Sequence, residues 1–100
     1  MPGYKVSFPN NSIAREFEKQ ARKLPLKLQK QIKQKVDALA ENPHPGIKSF
    51  KRLSPPLSYK DWTAHYRIRI GNYRILYDVD HQEKIVSILG LRKRGEKTYK

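Results

Sequence analysis

The sequence predicts an α+β fold, in which two antiparallel helices pack on a mostly antiparallel sheet of four to five strands in the order β-α-α-β-β-β. Three observations support this prediction. A short alternating segment comes first, two apolar stripes of helical period follow, and a period of two then runs from Thr63 to about Arg92. With 100 residues the chain has the size of one small domain, so we expect residues 1–100 to form a single domain.

The first strand and first helix follow one another closely. Alternation of apolar with polar residues predicts a strand that buries Tyr4, Val6 and Phe8. A helix capped by Asn11 or Ser12 should follow, because apolar residues recur there at helical spacing, at Ile13, Phe17, Ala21 and Leu24. That helix should end near Leu24, because Pro25 disfavours helical backbone at the residue before it.

A second apolar stripe predicts the second helix, which should stop at Asn42 and which buries Leu28, Ile32, Val36 and Leu39. Prolines then mark residues 42–46 as a connector and residues 54–61 as a loop, with a short strand between them at residues 51–53. The period of two that follows predicts three further strands, with turns at Gly71-Asn72 and at residues 80–83.

Net charge is the strongest bulk property of the chain. Lys and Arg number 22 against 9 Asp and Glu, which gives a formal charge of +13 and a pI near 10.2. Such an excess makes the folded protein repel itself and is tolerated where phosphates or an acidic protein cover the surface. We therefore expect a polyanionic partner, and the alternative is a soluble basic protein without one.

Several classes of function are disfavoured by composition. Cysteine is absent, so the chain has no disulfide and no thiolate nucleophile, and the three histidines, His44, His65 and His81, show no metal-ligand spacing. We expect no metal and no other cofactor. No apolar run of about 18 residues occurs and the N-terminus does not resemble a secretory signal, so we expect no membrane association and a cytoplasmic location.

The segment from His65 to Asp78 is the most informative. Gly71-Asn72 is a two-residue hairpin turn signal, and the register it sets pairs Ile70 with Tyr73 and continues to Tyr66 with Tyr77. One side of this hairpin is then apolar and should pack on the helices. The other side carries His65, Arg67, Arg69 and Arg74.

That second side is a candidate anion-binding patch. Arg69 opposite Arg74 is a like-charge cross-strand pair, which normally costs a few tenths of a kcal/mol, so an anion is expected there. Guanidinium groups bind phosphate oxygens bidentately and stay charged at physiological pH. The alternative is a wet charged surface that Asp78 partly neutralises, but the chain has few acids to balance its arginines.

The chain ends in a basic segment, LRKRGEKTYK, that directly follows the last predicted strand. Its basic residues extend the patch, and together with one earlier lysine they are candidate RNA-binding residues: Lys51, Arg92, Lys93 and Lys97. Tyr99 is suited to stack on an RNA base or to hydrogen-bond a ribose hydroxyl. The alternative is a solvated charged tail.

At this point the sequence resembles the RelE/ParE superfamily of bacterial and archaeal toxins over nearly its whole length. The resemblance rests on the strand followed by two helices, the stretch LAENPHP, the later Lys51-Arg52-Leu53, the hairpin YRIRIGNYRILY and the basic terminus with its tyrosine. It implies a RelE-like fold and an endoribonuclease that cleaves messenger RNA, often on the ribosome, by attack of a ribose 2′-hydroxyl on the adjacent phosphate. It also implies an acidic antitoxin as partner.

The resemblance further implies the catalytic residues, whose positions here are Arg67, Arg69, Arg74, Arg94 and Tyr99. Arginine stands at both hairpin positions where RelE-type toxins have lysine, and arginine is a poor proton acceptor. His65 shares the arginine side and is a candidate general base, because histidine exchanges protons near neutral pH. A structural histidine is the alternative. Arg94 lies one residue closer to Tyr99 than the pattern expects, so Lys93 or Arg92 can also fill its place.

Two other functions remain open within the same fold, which does not separate them. ParE-type toxins poison DNA gyrase without cutting RNA, and a degenerate member would bind RNA or antitoxin without catalysis. The arginine cluster with a terminal tyrosine favours RNA cleavage. Without an obvious acid-base pair, cleavage would rely on orienting the RNA and on electrostatic stabilisation, so it should be weak on free RNA.

Overall fold

A computed structural model describes residues 3–44, 50–59 and 61–93. Its elements, in chain order, are β1 (Lys5–Ser7), α1 (Asn11–Arg22), α2 (Leu26–Leu39), β2 (Phe50–Tyr59), β3 (Trp62–Ile70), β4 (Tyr73–Asp80) and β5 (Ile85–Lys93). The strands join one sheet in the order β1-β5-β4-β3-β2, with β1 parallel to β5 and the other pairs antiparallel. The predicted α+β fold, with two helices on a mostly antiparallel sheet, is confirmed.

The two helices begin and end slightly differently from the prediction. Asn10 caps α1, because its side-chain oxygen accepts the Ile13 N–H at 2.9 Å, so the predicted cap at Asn11 or Ser12 is wrong by at least one residue. The Gln29 side-chain amide donates to the Leu24 carbonyl at 2.8 Å and so serves the turn between the helices. Within the described ranges, neither helix is long and apolar enough to span a bilayer.

The main core lies between the helices and one side of the sheet. Its buried side chains come from both helices and from β3, β4 and β5: Phe17, Leu24, Ile32, Leu39, Ile68, Ile70, Ile75, Tyr77, Val86, Ile88 and Leu91. The helix-side residues of the predicted hairpin are therefore where the alternation put them. Because this side is filled by apolar groups, the alternate residues of the same strands project from the opposite side of the sheet.

Strand β2 differs from the prediction. Residues 54–59, expected as part of a loop, belong to this strand, and the pairing with β3 shifts so that residues 53–56 stand opposite the single residue His65. Pro55 and Pro56 are compatible with a strand here because β2 lies at the edge of the sheet, where a missing N–H leaves no neighbour unpaired. Because β2 continues past the prolines, the Tyr59 side chain lies over one side of the sheet.

Tyr77 connects the sheet to the connector after α2. Its side chain is fully buried, and its hydroxyl donates to the Pro43 carbonyl at 2.9 Å. Burial, followed by the nearby Tyr66, raises the pKa of Tyr77 well above its ordinary range, so the hydroxyl stays a donor.

We expect Tyr77→Phe to lower the free energy of unfolding by about 1–2 kcal/mol, because the Pro43 carbonyl then loses its buried donor. Urea denaturation followed by circular dichroism measures this effect. Tyr73→Phe, on the same strand but only half-buried, is the matched control and should change stability less. Equal stability of Tyr77→Phe and the wild type would contradict this role for the hydroxyl.

A pair of histidines joins the same connector to the turn between β4 and β5. The Nε2 atoms of His44 and His81 lie 3.0 Å apart, and the His81 Nδ1 shares a hydrogen bond with the Tyr4 hydroxyl at 2.8 Å. Burial lowers the pKa of His44 below its ordinary value of 6.5, and the neighbouring His81 and Arg52 lower it further. The folded protein therefore favours the neutral imidazole of His44.

This arrangement predicts a loss of stability under mildly acidic conditions. The unfolded chain protonates His44 more readily than the folded protein does. The contribution of neutral His44 to the free energy of unfolding is therefore complete above about pH 6.5 and is lost as the pH falls through that value. We expect the free energy of unfolding to fall more steeply between about pH 7.5 and about pH 5.5 in the wild type than in His44→Gln. Parallel pH dependences in the two proteins would contradict the prediction.

Candidate nucleic-acid interface

The hairpin of β3 and β4 has the register that the sequence predicts. Ile70 pairs with Tyr73, Arg69 with Arg74, and Tyr66 with Tyr77. Gly71, the first turn residue, has φ of +57°, a backbone conformation that glycine adopts without the penalty other residues pay. The turn thus fixes which side chains share each side of the sheet.

A row of three arginines crosses adjacent strands on the side away from the helices. Arg69 on β3 pairs with Arg74 on β4, and Arg74 pairs in turn with Arg92 on β5. Arg67 lies in the next row, between Lys51 on β2 and Leu76 on β4. We call the surface carrying Arg67, Arg69, Arg74 and Arg92 the arginine face. Neighbouring paired residues on antiparallel strands have Cβ atoms about 5 Å apart, so these charges are concentrated.

The arginines differ in exposure and support. Arg69 is exposed, Arg74 is half-buried, and Arg67 is only 9% exposed. On the same side of β4, Asp78 contacts His65, while the carboxylate of Asp80 accepts backbone N–H groups of Gln82 and Glu83 in the following turn. The acids of β4 are therefore at the far end of the strand from Arg74.

A second, smaller apolar cluster lies on the same side of the sheet as the arginines, next to Arg92. It consists of Tyr59, Ala64, Leu76 and Leu89, with Leu53 and Leu57 packed against it. The sequence did not predict this cluster, because it depends on the course of β2 after Leu53, where a loop was expected. Its apolar contacts hold the strands that carry the arginines in a fixed arrangement.

Tyr59 positions Arg92. The Arg92 guanidinium lies 4.6 Å from the centre of the Tyr59 ring and donates to the Tyr59 hydroxyl. The ring passes so close to Gly90 that a Cβ there would lie 2.9 Å from the Tyr59 Cζ atom. A glycine within an apolar strand is the signal that could have revealed this close approach.

Arg92 also has one guanidinium nitrogen that the described residues leave without an acceptor. Its Nε atom is buried and has no hydrogen-bond partner within residues 3–44, 50–59 and 61–93. A buried donor normally has an acceptor, and because less than 1 Å² of this atom is exposed, a ligand would reach it only after the Arg92 side chain moves. Arg92, which the sequence offered as an RNA-binding residue or in the place of Arg94, lies at one end of the arginine row.

His65 and Asp78 form a pair at the edge of the arginine face. The His65 Nδ1 and the Asp78 Oδ1 are 2.8 Å apart, and their side chains are 41% and 40% exposed. The pairing places them one row beyond Arg67, on the same side of the sheet. The role of Asp78 as a partner of His65 was not predicted.

The remaining sequence-predicted residues are only partly located. Lys51 pairs with Arg67 and joins the arginine face, whereas Lys93 pairs with Tyr73 and so belongs to the helix side, at the end of β5. Arg94, Lys97 and Tyr99 lie outside the described residues. Across the described ranges, no group of three or more histidine, aspartate or glutamate side chains could hold a metal ion.

Comparison with known proteins identifies the family. A model of the ParE toxin of type II toxin–antitoxin systems (parDE) matches residues 10–98. The chain belongs to the ParE toxin family. This ParE-family protein is therefore a toxin of a type II toxin–antitoxin system, and the predicted membership of the RelE/ParE superfamily is confirmed. No curated protein matches it.

Solved structures of RelE toxins share the fold of this ParE-family chain. The archaeal RelE–RelB complex from Pyrococcus horikoshii OT3 matches with 27% identity and a TM-score of 0.70, over 94% of this chain and 98% of that one. The RelBE2 toxin–antitoxin complex of Mycobacterium tuberculosis matches with 24% identity and a TM-score of 0.60, over 94% and 100% of the two chains. The intact E. coli RelBE complex matches with 18% identity and a TM-score of 0.51, over 94% and 99%.

Proposed function

We propose that this toxin is an endoribonuclease that cleaves messenger RNA, bound on the ribosome, by attack of a ribose 2′-hydroxyl on the adjacent phosphate. The observation that carries the proposal is the row of Arg69, Arg74 and Arg92 across three neighbouring strands. A row of permanent positive charges on a rigid sheet suits a ligand whose negative charges repeat along a chain. A messenger RNA backbone is such a ligand.

The same arginines suit the chemistry of phosphodiester cleavage. The transition state carries more negative charge on the phosphate oxygens than the ground state does, so donors fixed around that phosphate accelerate the reaction. Arg92, held by Tyr59, is fixed before substrate binds and does not have to be ordered during the reaction. Arg67, largely buried, likewise presents a restricted set of orientations.

Part of the proposed site lies outside the described residues. The resemblance to RelE-type toxins implies that Arg94 and Tyr99 complete the site. In this proposal Tyr99 stacks on an RNA base and Lys97 binds the RNA backbone.

Messenger RNA and the ribosome as partners imply action in the cytoplasm. An acidic antitoxin is the proposed inhibitor, supported by the charge of +13 and by the RelB antitoxins bound to the similar RelE structures.

Mapping of messenger RNA ends tests the proposal. Purified ribosomes carrying a defined messenger are incubated with the protein, and new 5′ ends are located by primer extension, with a ribosome-free reaction in parallel. We expect cuts within the decoding site and much weaker cutting of free RNA. The fragments should carry a 2′,3′-cyclic phosphate upstream and a 5′-hydroxyl downstream. The absence of cuts by folded protein would contradict the proposal.

A second candidate function follows from the family model, which is named for ParE toxins. In this alternative the protein inhibits DNA gyrase and leaves RNA intact. A gyrase supercoiling assay run with the same preparation separates the two. Inhibition of supercoiling without any messenger RNA cleavage would favour the gyrase inhibitor, and the Arg74→Ala substitution would then have little effect on toxicity.

A further inference from the structure

We propose that His65, held by Asp78, is the general base that takes the proton from the attacking 2′-hydroxyl. This inference rests on the proposed function, because it assigns a step within the same reaction. It addresses the gap that the arginines leave, since a guanidinium binds and stabilises a phosphate but does not accept a proton. The His65–Asp78 pair lies one row beyond Arg67 and supplies a proton-accepting group there.

The hydrogen bond between the two side chains sets the state of the imidazole. An aspartate carboxylate only accepts hydrogen bonds, so the proton of neutral His65 resides on Nδ1, which lies 2.8 Å from the Asp78 Oδ1. The Nε2 atom then carries the lone pair that a base requires. Asp78 also stabilises the imidazolium that forms when the proton arrives, and it is a positioning residue in this scheme.

The location of the pair suits an approach by the RNA. Both side chains are about two-fifths exposed, so solvent and substrate reach them, unlike the buried core residues of the same strands. His65 lies two residues from Arg67 along β3 and four from Arg69, which corresponds to roughly 7 and 13 Å along the strand. A phosphate bound by the arginines and the ribose attached to it can therefore extend towards His65.

The surroundings of His65 add few competing charges. On β4 it faces Asp78, and on its own strand the nearest charged residue on the same side is Arg67. The residues of β2 opposite it are uncharged: Leu53, Ser54, Pro55 and Pro56. Beyond Asp78, β5 contributes Ser87, which is also uncharged, and the neighbouring Tyr66 ring lies 6.5 Å from the imidazole.

The step balances without any further reactant. The His65 Nε2 accepts the proton of the 2′-hydroxyl as the 2′-oxygen forms its bond to phosphorus. The bond between phosphorus and the 5′-oxygen breaks, which leaves a 2′,3′-cyclic phosphate, and the departing 5′-oxygen takes a proton from solvent. The imidazolium then releases its proton to solvent, so no net proton is gained or lost, and the arginines keep their charge throughout.

Single-turnover cleavage of ribosome-bound messenger, measured against pH, tests the inference with wild type, His65→Gln, Asp78→Asn and Asp78→Glu. We expect His65→Gln to lower the rate by about 10²- to 10³-fold and to remove the acidic limb of the pH–rate profile. Asp78→Asn should lower the rate as well, and Asp78→Glu should restore part of it. Binding of a messenger with a 2′-deoxy nucleotide at the cut site should stay within about twofold of wild type in His65→Gln, because the arginines remain.

Chemical rescue separates a base from a structural histidine. In His65→Ala, added imidazole should raise the cleavage rate, and a merely structural role would give no such response. Wild-type cleavage together with unchanged rate and pH profile in His65→Gln would overturn the assignment of His65 and leave the proposed function standing. A wild-type protein that does not cleave messenger at all would overturn both.

Discussion

Replacement of Arg74 by alanine is expected to lower the rate of messenger cleavage by about 10²- to 10³-fold, because it removes a fixed donor from the developing charge on the phosphate. Arg74 is the middle residue of the arginine row, with Arg69 on one side and Arg92 on the other. A phosphate held by the row would therefore contact it in most orientations. The loss should appear more in the cleavage rate at saturating protein than in the affinity of the protein for ribosome-bound messenger.

The same substitution should leave the fold intact. Arg74 is paired across the strands with two residues of its own charge, and like charges directly opposite one another destabilise a sheet by a few tenths of a kcal/mol. Removal of the central charge relieves that repulsion and offsets the packing that is lost with the side chain. We expect the free energy of unfolding of Arg74→Ala to lie within about 1 kcal/mol of wild type.

Two matched variants make this experiment specific. Arg15→Ala removes an exposed arginine from α1, on the helix side, and should cleave at the wild-type rate although it lowers the net charge equally. Arg74→Lys keeps the charge but not the bidentate geometry, so its rate should fall between those of wild type and Arg74→Ala. If Arg74→Ala and Arg15→Ala cleave equally fast, Arg74 has no specific role in cleavage and the arginine row does not account for it.

The hairpin of β3 and β4 could be predicted from sequence because its signals are local. Gly71-Asn72 fixes a two-residue turn, and the alternation on both flanks allows one register that buries the isoleucines and tyrosines together. Every cross-strand pair from Ile70–Tyr73 to Tyr66–Tyr77 is confirmed. The arginine row up to Arg74 is a direct consequence of that register.

The other half of the site depends on long-range structure and was less predictable. Arg92 joins the row through the pairing of β4 with β5, whose register shifts between Leu76 and Tyr77, and no local signal fixes such a shift. Tyr59 lies over Gly90 only because β2 continues through Pro55 and Pro56 along the sheet edge. Prolines favour a loop when the strand's position at an edge is not known.

Substitution of Gly90 by alanine is the second change from which we expect a large effect, a loss of about 1–3 kcal/mol in the free energy of unfolding. The added Cβ would lie 2.9 Å from the Tyr59 Cζ and 3.0 Å from its Cε2 and hydroxyl oxygen. Tyr59 is only 3% exposed, so its ring has little room to move away. Displacement of the ring would also release Arg92, and messenger cleavage should fall with stability.

A double-mutant cycle with Tyr59→Leu shows whether this contact is the cause, because leucine lacks the two ring carbons and the hydroxyl oxygen that the new Cβ would meet. Gly90 does not have the positive φ that favours glycine, so alanine has no backbone penalty there and by itself would stabilise the chain by about 0.4–1 kcal/mol. In the Tyr59→Leu background, Gly90→Ala should therefore be neutral or stabilising by urea denaturation. If it is equally destabilising in both backgrounds, the contact with Tyr59 is not what requires glycine, and the coupling between Tyr59 and Arg92 must be tested by Tyr59→Phe, which removes the hydroxyl but keeps the ring.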